Sequence, residues 1–175
     1  MIPIIPWFER RFEFDFPVGL FPVIYSRLEG SIYRLSALLH HADDDACSKA
    51  QKGWSVKQQV GHLYDLEALW WQRLEDYRQG KEQLTAADIT NRKTTEAPHN
   101  SKSLTALVNQ FADERGKMLE NIYSFDEDTL LLTAIHPRLQ QPMRVVDALF
   151  FVAEHDDHHI AIITQLLQEQ QSHKG

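Results

Sequence analysis

Cysteine is nearly absent. One residue, Cys47, stands in 175, so no internal disulfide can staple the fold, and a reducing cytoplasm is the expected compartment. Glycine is scarce at seven, and no Gly-rich phosphate loop or G-x-S-x-G nucleophile turn is present. No apolar run approaches the ~20 residues of a membrane span. The start, Met1-Ile2-Pro3-Ile4-Ile5-Pro6, is too short and too proline-broken for a signal peptide, and acidic Glu9 follows soon. Basic residues are the minority, 18 against 25 acidic, for a net charge of -7, which argues against nucleic acid or an anionic membrane as partner. Hydrophobic residues at 43% and charged residues at 25% exclude a disordered chain. Nothing repeats, and the length suits one domain, residues 1–175.

What is there is helical periodicity. An opening stretch, Phe12-Glu13-Phe14-Asp15-Phe16, alternates like a strand but has no credible sheet partner. Residues 1–17 therefore read as an extended aromatic arm laid on the body, and 171–175 as a polar tail. The first helix is expected near Pro22, with Phe21, Ile24, Leu28, Ile32, Leu35 and Leu38 or Leu39 as its stripe. A polar loop spans 41–53. The second helix is capped by Ser55 and carries Val56, Val60, Leu63, Leu66, Trp70 and Leu74 before ending near Gly80. Residues 81–102 show no stripe and read equally as a binding loop or an ordinary crossover. The third helix starts at Ser101 or Ser103 and runs through Leu107, Phe111, Met118 and Ile122. The fourth begins just after Pro142 and reaches about Gln170. Four long amphipathic helices without a sheet make an all-α four-helix bundle.

Nine histidines are unusual, and three crowd into 155–159. With about 100° per residue, His155 and His159 fall inside the apolar stripe of the fourth helix, while His158 falls near its edge. Imidazoles at i and i+4 reach one metal ion, and an open catalytic site needs a third protein ligand. His62 on the second helix is the best candidate, although it sits on the flank of its stripe. Gly61 beside it would let another helix approach. The competing reading of the same residues is hydrogen-bonded core histidines. The metal itself stays open, because three imidazoles suit zinc, nickel, copper or iron.

Glu67, Asp156 and Arg115 also face inward. Glu67 or Asp156 would orient a ligand histidine or serve as general base, and Arg115 would hold a substrate carboxylate or phosphate. The simpler reading is an internal ion pair of Arg115 with these carboxylates. Asp147, Glu154 and Asp157 read as surface, the tryptophans and arm aromatics as core, and Cys47 as no nucleophile.

Trp54-Ser55-Val56-Lys57-Gln58-Gln59-Val60-Gly61-His62-Leu63 and Glu154-His155-Asp156-Asp157-His158-His159 resemble the second- and fourth-helix signatures of the DinB-like (YfiT-like) superfamily. Arg27-Leu28-Glu29-Gly30-Ser31, the stretch from Asp88 to Thr94, and His136-Pro137-Arg138-Leu139 with Pro142-Met143-Arg144 extend the resemblance over most of the chain. The resemblance implies an up-down-down-up bundle, often a homodimer, holding a divalent metal, commonly nickel or zinc, on His62, His155 and His159. It further implies a metal-dependent hydrolase, or a transferase of a low-molecular-weight thiol such as bacillithiol, acting on a small molecule. A mycothiol-dependent isomerase belongs to the same superfamily. A non-catalytic metal- or ligand-binding bundle with a stress-related role is the alternative. In either case the 81–100 connection and His136-Pro137-Arg138 would shape the mouth.

Overall fold

A computed structural model of the protein describes residues 2–50 and 52–172. Its four long helices are α1 (Phe21–Leu39), α2 (Val56–Arg78), α4 (Leu104–Ile122) and α6 (Val145–Ser172), with the short helices α3 (Arg92–Glu96) and α5 (Glu127–Leu131) in the connections. Each start has a local cause. Proline occupies the first turn of α1, where its missing N–H costs nothing. Ser55 and Gln58 form a reciprocal capping box on α2. Ser103 accepts from the amide of Ala106 to cap α4. Gly80, at φ +65°, follows the end of α2 in the left-handed conformation that glycine adopts without strain.

Helix α1 packs on α4 and α6, and α2 packs on the same two, so the first two long helices lie diagonally opposite. Asp44, after α1, binds Lys57 Nζ at the start of α2 and accepts from the amide of Leu104 at the start of α4. Gln170, late in α6, donates to the carbonyl of Ala46. No helix among the described residues is long and apolar enough to cross a membrane.

The apolar interior divides into two clusters. One gathers Leu28, Trp70, Leu74, Met118, Leu149 and Val152, and Trp7, Phe12, Phe14 and Phe16 of the first residues pack against it. The other holds Leu35, Leu63, Leu107, Phe111 and Ile163. Between them lies a polar layer of Ser31, Glu67, Arg115 and Asp156, all buried. Such a layer costs desolvation free energy and is tolerable only when every charge is paired.

Several expectations change. A two-stranded antiparallel ribbon does form: β1 (Thr133–Ile135) pairs with β2 (Pro142–Arg144), joining Ala134 to Met143 in register. Three-residue strands are too short to show a period, and Pro142 sits at a ribbon end where it loses no ladder bond. Helix α6 therefore starts at Val145, two residues later than a start just after Pro142. Gln171 and Ser172 continue that helix rather than forming a tail, and 173–175 lie outside the described residues. Asp147 is not surface: its carboxylate accepts from the amide and guanidinium of Arg144 and is buried at the first turn of α6. Glu154 and Asp157 hold Arg27, and Glu154 also pairs with Arg10.

Candidate metal centre

The second turn of α2 and the middle of α6 face each other, and each brings histidines inward. One ring nitrogen from each of His62, His155 and His159 lies within 4.8 Å of the other two. All three side chains are buried. Burial drives their pKa values down, to about 4 for His62 and well below the ordinary range for His155 and His159, so the imidazoles are neutral.

Partners outside the triangle fix two of the tautomers. The hydroxyl of Thr94 donates to Asp65 Oδ2 at 2.9 Å, so its oxygen accepts from His62 Nδ1 at 3.0 Å. The proton of His62 is thus on Nδ1 and its Nε2 lone pair is free. Gln59 Oε1 accepts from His159 Nδ1 at 2.6 Å, which leaves the Nε2 lone pair of His159 free as well. That nitrogen faces Nε2 of His155 at 3.1 Å, and Nδ1 of His155 is buried without a partner. Three buried, neutral imidazoles with converging ring nitrogens are the donor set a divalent cation takes, so the residues present fit such an ion.

A second anchor steadies Asp65. His99 donates from Nε2 to Asp65 Oδ2 at 2.8 Å, and its ring lies flat against Gly61. A Cβ on Gly61 would fall 2.4 Å from His99 Cγ. The close approach that Gly61 permits is therefore by His99 from the connection, not by another helix.

Above the histidines opens a cavity of about 600 Å³. Trp7, Trp54, Trp70 and Phe151 form much of its wall, so aromatics expected only as core are also cavity lining. Residues 86–89 and Asn91 of the connection and His136, Pro137 and Arg138 stand along it. The connection thus serves the cavity directly, and its Thr94 and His99 lie behind His62.

Glu67 and Asp156 are placed differently from the histidines. Arg115 donates from Nε and Nη2 to Glu67, at 2.7 Å for the shortest contact, and from Nη1 and Nη2 to Asp156. Burial pushes the Glu67 carboxyl up to about 7 against the pull of Arg115. Burial would lower the guanidinium of Arg115, but Asp156 and Glu67 outweigh it and hold it above its ordinary value. Neither acid is among the described residues that line the cavity, and Arg115 is fully buried in this triad rather than open to a ligand.

Four supporting residues escape a reading of the sequence. Gln59 and Asp65 lie three positions either side of His62, a helical spacing that would have put them on its face. Thr94 and His99 give no such signal, being polar residues in a segment without periodicity.

Fold and site together define a helical bundle with a three-histidine candidate cation site at the floor of an aromatic cavity. The chain belongs to the DinB superfamily, whose family model matches residues 27–163. Its fold is similar to a solved structure of YfiT from Bacillus subtilis, described as a probable metal-dependent hydrolase with an unusual four-helix bundle topology. The two share 17% identity at a TM-score of 0.80, over 93% of this chain and 94% of that one. Among curated protein sequences none matches.

Proposed function

We propose that the chain is a metal-dependent enzyme acting on a small molecule, with His62, His155 and His159 holding one divalent cation, zinc or nickel. Its reaction is hydrolysis, or transfer of a low-molecular-weight thiol such as bacillithiol. The observation that carries this reading is the open cavity directly over three neutral imidazoles. A sealed centre would suit a structural role, whereas an accessible one leaves a coordination position for chemistry. A cation there supplies Lewis acidity, which brings the pKa of a water or thiol towards ~7.

The protein's own groups set the stage. Asp65, Thr94 and Gln59 keep the Nδ1 protons of His62 and His159 pointed outward, so the ligand nitrogens need no rearrangement. Trp54 and Trp70 exclude bulk water, as Trp54 packs 4.7 Å from His62 and Trp70 5.8 Å from His155 between ring centres. Glu67 and Asp156 act in this reading as positioning residues, tying α2 and α6 to α4 beneath the histidines through Arg115. The contacts of Asp44 and Gln170 support up-down-down-up connectivity, since the end of α1, the starts of α2 and α4, and the end of α6 meet there. A cysteine content of one, buried Cys47, supports a cytoplasmic setting. The YfiT description supports the hydrolase branch.

Metal analysis of protein purified without a histidine tag tests the site. Wild type is expected to hold about one equivalent, and His155→Ala to lose it. Less than about half an equivalent in wild type, or none lost in the variant, overturns the reading. A screen of metal-loaded protein against thiol–electrophile pairs, esters and amides, with His159→Ala as control, then separates the two reactions.

A further inference from the structure

A second polar group lines the same cavity, away from the histidine triangle, and neither the fold nor the metal explains it. Arg73 is buried, and Asp76, which pulls on its charge from three residues along α2, spends its own oxygens on Gln72, Lys81 and the amide of Thr85. Its Nε donates to the carbonyl of Thr85, and its guanidinium lies over the ring of Trp70 at 5.4 Å. Burial lowers its pKa only to about 10, so it remains a cation.

Beside it stands His136. The amide of Leu139 donates to His136 Nδ1 at 3.1 Å, so the one proton of this neutral ring is on Nε2. Burial, with Arg73 and Arg138 adding to it, takes the ring's pKa down to about 3. Nε2–H then faces Arg73 Nη1, another donor, at 3.1 Å. Two donors meet with no acceptor between them.

Arg138 completes the group. Its guanidinium lies against Trp7, Phe8 and Phe151, and Nη2 is buried without a partner. Asp88 is the acid that lines this cavity, and its oxygens are taken by the amides of Thr90 and Arg92 and the hydroxyl of Thr90. One buried and one half-buried guanidinium, neither of them in an ion pair among the described residues, together with the His136 N–H, make a wall that suits an anion.

We propose that Arg73, His136 and Arg138 form an anion subsite that takes the carboxylate or phosphate of an amphiphilic acid. Its apolar part lies along Trp7, Trp70 and Phe151. That this acid is the substrate rests on the metal-dependent function proposed above; the subsite itself does not. The geometry suits it. Trp70 stands 5.8 Å from His155 on one side and 5.4 Å from the Arg73 guanidinium on the other. Trp7 bridges in the same way, 5.0 Å from His155 and 5.8 Å from Arg138. The apolar part of such an acid would run past these two rings towards the histidines.

The test uses tryptophan fluorescence, because Trp7, Trp54 and Trp70 all line the cavity. Phenylacetate and phenyl phosphate are titrated against neutral phenylacetamide. At least one anion is expected to bind about tenfold or more tighter than the amide, the size of one lost charge-assisted hydrogen bond. The tighter of the two identifies the head group. Arg73→Gln and Arg138→Gln should each remove that preference and leave phenylacetamide unchanged. If Arg73→Gln does not fold, half-buried Arg138 decides alone. Equal binding of anion and amide, or an unaltered preference in Arg138→Gln, overturns the subsite. The titration is repeated on chelator-treated protein and on His155→Ala. Retained anion preference there upholds the subsite even if no metal is ever bound. A preference that vanishes with the metal places the anion on the cation and overturns it.

Discussion

Gly61→Ala is the sharpest probe of the layer behind His62, because two effects of opposite sign compete. Gly61 lies inside α2, and replacing a helix-interior glycine with alanine should stabilise by about 1 kcal/mol. The new Cβ, however, would sit 2.4 Å from Cγ and 2.5 Å from Cδ2 and Nδ1 of His99. That ring is only 1% exposed and cannot swing into solvent without leaving its place. Moving it costs roughly 1–3 kcal/mol of overpacking strain. It also breaks the 2.8 Å bond to Asp65, worth about 1.5–3 kcal/mol because the acceptor is charged. Strain and hydrogen bond together outweigh helix propensity, so the net loss should be about 2–4 kcal/mol. Urea denaturation of four proteins completes a double-mutant cycle: wild type, Gly61→Ala, His99→Ala and the double variant. Truncating His99 removes the Cγ, Cδ2 and Nδ1 atoms that stand nearest to that Cβ, so in the His99→Ala background Gly61→Ala should turn stabilising. Equal destabilisation in both backgrounds, or a stabilised single variant, would refute the packing argument.

Thr94→Val keeps the shape but leaves His62 Nδ1–H without an acceptor. Metal affinity should fall about 10–100-fold, measured by chelator competition, while His62→Ala abolishes binding; equal effects in the two variants would contradict the proposed orienting role. Arg115→Met should lose about 3–5 kcal/mol, since it strands two buried carboxylates, whereas Glu67→Gln should stay within about 1 kcal/mol and keep full metal stoichiometry. Calorimetric unfolding with metal analysis checks both, and a Glu67→Gln variant that cannot hold metal would speak against the triad as mere support. For metal-free protein, acid should destabilise. The folded pKa of His62 is about 4, below its ordinary 6.5, so its contribution is whole above pH 6.5 and is lost as pH falls towards 4, on the order of 3 kcal/mol. His136 acts the same way towards pH 3. Glu67, raised to about 7, works oppositely, favouring the fold at low pH and losing that as pH rises through 7, but it is outnumbered. A denaturation midpoint no lower at pH 5 than at pH 7 would count against the neutral, buried histidines.

How much can be read without coordinates follows from the range of each signal. The four long helices are legible because caps and apolar spacing are local, and Ser55 and Ser103 act on amides three residues away. The inward faces of Glu67, Arg115, His155, Asp156 and His159 are legible for the same reason, since the period of a helix assigns each residue a side. The β1–β2 ribbon is not, because three residues carry no period and its stability comes from pairing across a turn.

Periodicity says which way a side chain points but not what it meets. That His62 meets Thr94, that His99 fills the space over Gly61, and that Arg73, His136 and Arg138 share a cavity wall depend on contacts between segments with no common local signal. Thr94 lies 32 positions from His62, and His136 lies 63 from Arg73, brought together by the way the connections fold back over the bundle. Residue type and helical phase thus gave the long helices and five of their inward polar residues, Glu67, Arg115, His155, Asp156 and His159, but not buried Asp147, which was expected at the surface. Chain packing alone decided which of those residues face the cavity and which are consumed in holding the helices together.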